Sequence, residues 1–365
     1  MKESTIAVLG AGAWGTAVAK VIADKGYEVT LWAFEQETVA EINQQHTNNV
    51  FLPGITLPNT IRAYTDPCEA VDEKEFLILA IPSLYLLDTV KQVLSVPSIR
   101  EGESTIGVIT KGFLPTPRGP RLILETLEEY LPGFYHQSLV YIAGPSHAEE
   151  VSRGKITGLI SASEKIKNSI RFRDLFKSNR LLVFPSPDVR GVQVAAAAKN
   201  VIAIAFGILD ALKTQSSPSV PGFSPADIFG DGTESLLLAA GLNEIQILGK
   251  AMGATHPETF TSISGVGDLD VTCRSVFGRN RRFGREIIEK NILDQFADLD
   301  DLIARIREVG YLPEGIVAAK YVKELAERYR LKMPISLGLY DILNGTVKPL
   351  AFLDNVLNSM SGTKD

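Results

Sequence analysis

Sulfur and imidazole are scarce in this chain. Its 365 residues hold two cysteines, Cys68 and Cys273, and four scattered histidines, His46, His136, His147 and His256. Neither set makes a disulfide framework or a metal-ligand spacing, so no metal site is expected. Two isolated thiols fit a reduced, cytoplasmic location. The N-terminus enters STIAVLG directly, with no basic leader and no signal-type cleavage site. The longest apolar runs break well before the roughly 20 residues a bilayer needs, which argues against stable membrane insertion. A basic excess is also missing: 37 Lys and Arg stand against 43 Asp and Glu, a net charge of −6. That excludes nucleic acid as a general partner but leaves room for a small anion held by a few local cations.

What is present is ordinary for a globular protein: 45% apolar and 22% charged residues. The length calls for two domains. Short apolar runs at Thr5–Leu9, Glu28–Trp32, Phe76–Ile81, Ser104–Thr110, Leu139–Ala143, Thr157–Ser161 and Leu181–Phe184 read as strands. Helical stretches such as Trp14–Lys25 and Leu122–Tyr130 lie between them. Such alternation predicts a parallel, doubly wound sheet of Rossmann type. From about residue 190 the pattern turns helical. Val192–Leu212, Glu234–Met252, Arg281–Glu289, Leu299–Glu308, Gly315–Tyr329 and Ile335–Asn344 all read as helices. The expectation is an α/β domain over 1–190, an all-α domain over 191–357, and a frayed tail over 358–365. Ser216–Pro225, SSPSVPGFSP, reads as a loop inside the second domain.

Residues 5–19, TIAVLGAGAWGTAVA, carry Gly10, Gly12 and Gly15 between a strand and a helix. In a dinucleotide site Gly10 makes the tight turn, Gly12 lets backbone approach the pyrophosphate, and Gly15 lets helix and strand pack. Ala13 and Trp14 open that helix, whose free N–H groups suit the pyrophosphate. Glu35 lies about 20 residues further on, where an acid would bond the ribose 2′-hydroxyl and repel a 2′-phosphate. No Lys or Arg occurs from Tyr27 to Ile61, which favours NAD over NADP. Glu35 could equally start a helix in solvent. Phe34 could cover the adenine or join the core. The next two strands end at Pro82 and at Lys111, where ligands of open α/β sheets bind.

The stretch VAAAAKNVIAIAFG sets Lys199 and Asn200 in the most apolar helix of the chain. The helical face of Lys199 includes Val192, Ala195, Ala196, Ile202, Ala203 and Phe206. Either the lysine snorkels past small alanines to water, or it is a desolvated group suited to acid–base work. The alanines leave room for a ligand to reach the helix. SISGVGDLDVTC then puts Asp268 in a Gly-rich turn, which local sequence alone reads as an ordinary turn or N-cap. FGRNRRFGRE follows, with Arg279, Asn280, Arg281, Arg282 and Arg285. These suit a phosphate, or a solvated basic patch.

Taken in order, GAGAWG, LWAFE, ITKGF, AGPSHAEEV, AAKNVIAIAFG, GVGDLDVTC and GRNRRFG resemble the motifs of NAD(P)-dependent glycerol-3-phosphate dehydrogenases, from Ile6 to about Leu357. GPSHAEEV and RNRRFG look closest to the bacterial branch, and WAFE less so. The resemblance implies a Rossmann domain and a helical domain. It implies interconversion of dihydroxyacetone phosphate and sn-glycerol 3-phosphate with NAD or NADP, serving glycerophospholipid synthesis, commonly in a homodimer. By the motif matches, Lys199 would donate and accept the proton, and Asp268 would support it. Lys111 would contact substrate and the nicotinamide side and assist catalysis with its positive field. Gly144 and Ser146 would line the substrate pocket, with Ala148 at the cofactor. Arg279 and Asn280 would grip the phosphate, Arg279 reaching the cofactor too, while Leu312 and Glu314 lie near the cofactor. Asn200 would bind substrate or hold backbone. The chain departs from the pattern at Gln193 (often Glu), at Gly232 in Gly230-Asp231-Gly232 (often Asn), and at Gly278 (commonly Ser). Two other readings stay open: a sister dehydrogenase acting on a hydroxy acid or sugar acid, and a non-catalytic dinucleotide sensor.

Overall fold

In the computed structural model, which describes residues 4–215 and 224–352, the chain divides into two compact units. The first holds 1–114 and 121–193, the second 115–120 and 194–365. The division falls inside one helix, Val189–Leu212. Residues 216–223 of the expected loop and the 358–365 tail lie outside the described residues.

The first unit is built on β1 (Ile6–Leu9), whose four side chains are fully buried. A strand buried on both faces reads as a continuous apolar run. The other strands are β2 (Val29–Trp32), β3 (Ile61–Tyr64), β4 (Phe76–Leu79), β5 (Thr105–Val108), β8 (Val140–Ala143), β9 (Thr157–Ala162) and β10 (Leu181–Ser186), while β6 (Phe113–Leu114) and β7 (Arg121–Leu122) form a separate two-stranded ribbon. The order across the main sheet is β10-β9-β8-β5-β4-β1-β2-β3. Strand order reverses at β1, with β2 on one side (Ile6 opposite Val29) and β4 on the other (Ile6 opposite Phe76). Ligands of such sheets bind beyond the carboxyl ends at that reversal.

Two features of the sheet depart from the sequence reading. The sheet is mixed, because β8 and β9 pair antiparallel, with Tyr141 opposite Ala162. The short helix Ala148–Ser152 between them supports a return rather than a full crossover. Strand β3 went unread, since IRAY is an edge strand that exposes Arg62 and lacks an apolar run.

Every regular element in the described residues of the second unit beyond 194 is helical. Gly315–Tyr329 falls where the periodicity puts it; the stretch from Leu299 breaks at Ala304 and resumes as a 3₁₀ turn, Ile306–Val309. Val189–Leu212 is, by length and composition, long and apolar enough to cross a membrane, although Lys199 and Asn200 interrupt its apolar run. Its apolar window is wholly buried in the protein, as a core helix is. Three glycines let neighbouring helices approach it. A Cβ at Gly284 would lie 3.0 Å from the Gly207 Cα, and one at Gly315 would lie 2.5 Å from the Asn200 carbonyl oxygen. Both helix starts that matter below, Arg279–Glu289 and Gly315–Tyr329, are thereby seated against the long helix.

Phe172 anchors the core of the first unit. It is fully buried, its ring meets Phe76 edge-on at 5.4 Å, and a Cβ at Gly107 would overlap it. Phe172→Ala is expected to cost about 3–5 kcal/mol. Urea unfolding checks this, with a lowered midpoint at unchanged slope.

Candidate active site

In the first unit the candidate residues gather at one edge of the sheet, because β1, β2, β4, β5 and β8 run parallel and all end there. Gly10 follows β1 with φ of +117°, and its N–H donates to the Trp32 carbonyl. A Cβ at Gly10 would lie 2.7 Å from the Ala80 carbonyl oxygen, and one at Gly15 would collide with the Gly10 carbonyl. Both positions therefore need glycine. Gly12 is the N-cap of the helix Ala13–Ala23, and a Cβ there meets nothing within 4 Å. The space before this helix start is open, and the first-turn N–H groups of Ala13, Trp14 and Gly15 border it. These residues fit a dinucleotide pyrophosphate.

Phe34 is 81% exposed, which removes the core alternative for it. Glu35 is exposed at the N-cap of Gln36–Gln45, and its side chain makes no capping bond. Pro82 caps the helix that follows β4, and Lys111 follows β5. Past β8, Gly144 has φ of +153°, a Cβ there would lie 2.6 Å from the Gly158 carbonyl oxygen, and the Ser146 hydroxyl donates to the Gly144 carbonyl at 3.0 Å. Ala148 belongs to the buried apolar cluster against which Ala13 and Trp14 pack.

In the second unit the long helix carries Lys199, only 4% exposed. It does not snorkel to water. Its ammonium pairs with the Asp268 carboxylate and donates to the Thr272 hydroxyl at 2.8 Å. Thr272 in turn donates to the Asp268 carbonyl at 2.6 Å. Asp268 is 1% exposed, so it is no solvated turn residue. A π-helical turn, Ile263–Gly267, runs straight into the helix Asp268–Arg274 and delivers the carboxylate. Such turns concentrate at functional sites. Thr272 was missed in the sequence reading, although its position four residues after Asp268 puts both on one helical face.

The next residue, Asn200, joins a second chain of bonds. The Asn280 side-chain amide donates to the Asn200 side-chain oxygen Oδ1, and the Gly315 N–H donates to Asn280 Oδ1, both at 2.9 Å. Both ends of the Asn280 side chain are thus committed. Arginines 281 and 285 pair with Asp210 at 2.5 and 2.7 Å, and Arg282 pairs with Glu286 at 3.0 Å. The basic cluster is therefore mostly self-neutralised. Arg279, at the first position of its helix, is exposed and bonds no group among the described residues. Leu312 and Glu314 are partly buried just before the helix Gly315–Tyr329, with Glu314 as its N-cap. The alanines 195–198 are each at most 2% exposed. They serve close packing rather than forming an open floor.

The departures also have local explanations. Gln193 accepts from the Leu124 N–H at 3.0 Å and donates to the Val189 carbonyl at 3.2 Å, which requires a neutral amide. A Cβ at Gly278 would lie 2.9 Å from the Thr272 carbonyl oxygen. Gly232 stands in open space in the first turn of Asp231–Ala251.

A buried ammonium–carboxylate pair is costly to break, because the survivor is left uncompensated. Lys199→Met is expected to destabilise the protein by about 3–5 kcal/mol, and Lys199→Met with Asp268→Leu to recover most of that loss. Equilibrium unfolding of the two variants measures both effects.

Comparison with known proteins gives a consistent picture. Residues 5–169 match the family model of the NAD-dependent glycerol-3-phosphate dehydrogenase N-terminus, and residues 188–354 match that of the C-terminus. A glycerol-3-phosphate dehydrogenase [NAD(P)+] of Treponema denticola is 56% identical over 96% of this chain and 98% of its own. One from Treponema pallidum is 50% identical over 97% and 99%. The crystal structure of a glycerol-3-phosphate dehydrogenase from Coxiella burnetii covers 97% of this chain and 99% of its own, with a TM-score of 0.81 at 28% identity.

Proposed function

The chain belongs to the NAD-dependent glycerol-3-phosphate dehydrogenase family, and we propose that it interconverts dihydroxyacetone phosphate and sn-glycerol 3-phosphate with Lys199 moving the proton. The observation that carries this reading is the buried ammonium of Lys199, held by Asp268 and Thr272 inside an apolar helix. When bound, NAD(P) supplies hydride for reduction and takes it in oxidation. Negative charge develops on the carbonyl oxygen during reduction, and a protonated Lys199 donates to that oxygen. Asp268 keeps the ammonium oriented and balances its charge. Thr272 fixes the direction of a second Lys199 N–H, because its own proton is committed to the Asp268 carbonyl. Oxidation of the alcohol needs Lys199 neutral, as base.

Arg279 is assigned the substrate phosphate. It is the exposed, uncommitted guanidinium beside a helix start, and its fork matches a phosphate. Phosphate binding away from the reacting carbon then supplies orientation. Asn280 is assigned to hold Asn200 and the Gly315 helix start, leaving the Asn200 amide N–H groups to face substrate. The same reading gives Lys111, Gly144 and Ser146 substrate contacts. It gives Gly10, Gly12, Ala13, Trp14, Gly15, Phe34, Glu35, Pro82, Lys111, Ala148, Arg279, Leu312 and Glu314 cofactor contacts. Residues 1–190 thus carry most of the cofactor contacts, and residues 191–357 carry the proton-transfer and phosphate-binding groups. The exposed Glu35 carboxylate favours NAD. A cytoplasmic homodimer without membrane insertion, feeding glycerophospholipid synthesis, completes the proposal. The free thiols of Cys68 and Cys273 and the burial of Val189–Leu212 support that setting.

Initial rates with dihydroxyacetone phosphate against 2-keto acids test the substrate, and NADH against NADPH tests Glu35. The expected order is fast reduction of the phosphate ester and preference for NADH; equal rates with both cofactors would sink the Glu35 assignment. Oxidation of glycerol 3-phosphate should speed up as pH rises, since the base form of Lys199 gains population. A flat pH profile, or a Lys199→Ala enzyme that still turns over, would remove Lys199 from the chemistry. Thr272→Val should lower kcat by about 10- to 100-fold, the worth of a hydrogen bond to a charged group, with Ser restoring most of it.

A further inference from the structure

A cleft of about 440 Å³ opens in the first unit and takes no part in the proposed reaction. It is lined by the C-terminal ends of two helices, Ala13–Ala23 and Ala148–Ser152, by the residues that follow them, and by residues 178–181 after the helix Ile166–Phe176. The Gly10–Gly15 loop is at the other end of the first of these helices, about 16 Å away at 1.5 Å per residue. Five cations line the cleft, Lys20, Lys25, Arg153, Lys155 and Arg180, against one carboxylate, Asp24. This is a strong local excess in a chain of net charge −6.

Helix C-termini attract cations, and that accounts for part of the cluster. Lys25 donates to the carbonyls of Asp174 and Leu175 at 2.7 and 2.8 Å. Lys20 pairs with Asp24 at 2.6 Å, and Lys155 with Glu150 at 3.0 Å. Those two are neutralised. Lys25, Arg153 and Arg180 have no carboxylate within ion-pair distance among the described residues. Burial first, and then the nearby charge of Lys177, push the Lys25 ammonium below its ordinary range, with the Asp174 carboxylate, beyond ion-pair distance, acting in the opposite direction. Arg180 is aimed by a bond to the Gly154 carbonyl at 3.1 Å, and Arg153 is exposed and bonds nothing among the described residues. The Ser178 hydroxyl oxygen accepts from the N–H groups of Arg180 and Leu181, which leaves its proton free to donate into the cleft. Two guanidinium forks, an ammonium and a hydroxyl on the wall of one concavity match phosphate oxygens. The volume is that of a small-ligand site, roughly 300–1,000 Å³.

We propose that this cleft binds a small anion carrying two or more phosphate groups, at a site separate from both the cofactor and the substrate. The two guanidiniums each take one phosphate, and the charge of the ligand balances the three unneutralised cations.

Calorimetric titration with inorganic tripolyphosphate tests the site, on full-length protein saturated with NADH so that the Gly10–Gly15 loop is filled. The expected result is saturable binding that weakens at least about tenfold, or 1.4 kcal/mol, in Arg153→Glu/Arg180→Glu. NADH affinity and melting temperature should match the parent. Arg153→Gln/Arg180→Gln provides the same readout should charge reversal disturb folding. Absence of saturable binding in the NADH-loaded protein overturns the proposal, as does binding that both variants retain. Binding to vesicles of anionic phospholipid without binding of tripolyphosphate also overturns it, because the occupant would then be a membrane surface.

Discussion

The candidate site in the helical unit is arranged around one buried ion pair. Taking an ammonium and a carboxylate out of water costs several kcal/mol per ion, and close pairing with further hydrogen bonds is what offsets it. Lys199 and Asp268 have both, through Thr272 and the helical turn that carries it. Such a pair is weak evidence for a stability device, because apolar residues would pack there more cheaply. Its retention inside the most apolar helix is better explained by what a dry, oriented ammonium can do to a carbonyl oxygen.

The supporting frame is made of backbone approaches rather than large side chains. Gly207, Gly284 and Gly315 bring two helix starts against the long helix, and the Asn200–Asn280–Gly315 bonds then fix their register. Arg279 inherits its position from this frame, since the committed Asn280 follows it directly. The first unit uses the same economy. Gly10 and Gly15 are forced by the Ala80 and Gly10 carbonyls, while Gly12 leaves open space before a helix start. Absent side chains, in both units, decide where a ligand can come close.

Departures from the family pattern take on meaning in the same terms. A glycine at 278 avoids crowding the Thr272 carbonyl, on the residue that positions Lys199. The uncharged Gln193 both donates to and accepts from backbone, which a carboxylate cannot do. The buried thiol of Cys273, pushed up to about 12 chiefly by burial, sits beside Thr272 in sequence and stays chemically quiet.

Sequence alone determined the elements whose signals are local. The apolar runs of β1 and β4 and the 3.6-residue period of Gly315–Tyr329 follow from side-chain patterning, and the Gly10–Gly15 turn follows from backbone sterics. It also singled out Lys199, a lysine among alanines, and a run of arginines, while the roles of Asp268 and Arg279 came only from the resemblance of their motifs to the family. It left open whether Lys199 reached water, and it passed over Thr272, β3 and the antiparallel turn from β8 to β9. Those depend on contacts between residues far apart in the chain. Burial of an ammonium is set by the helices that close over it. The commitment of Arg281 and Arg285 to Asp210, which leaves Arg279 uncommitted, is set by which helix face meets which. Propensity and spacing name the groups; only packing decides which of them are desolvated, which are neutralised, and which remain to meet a ligand.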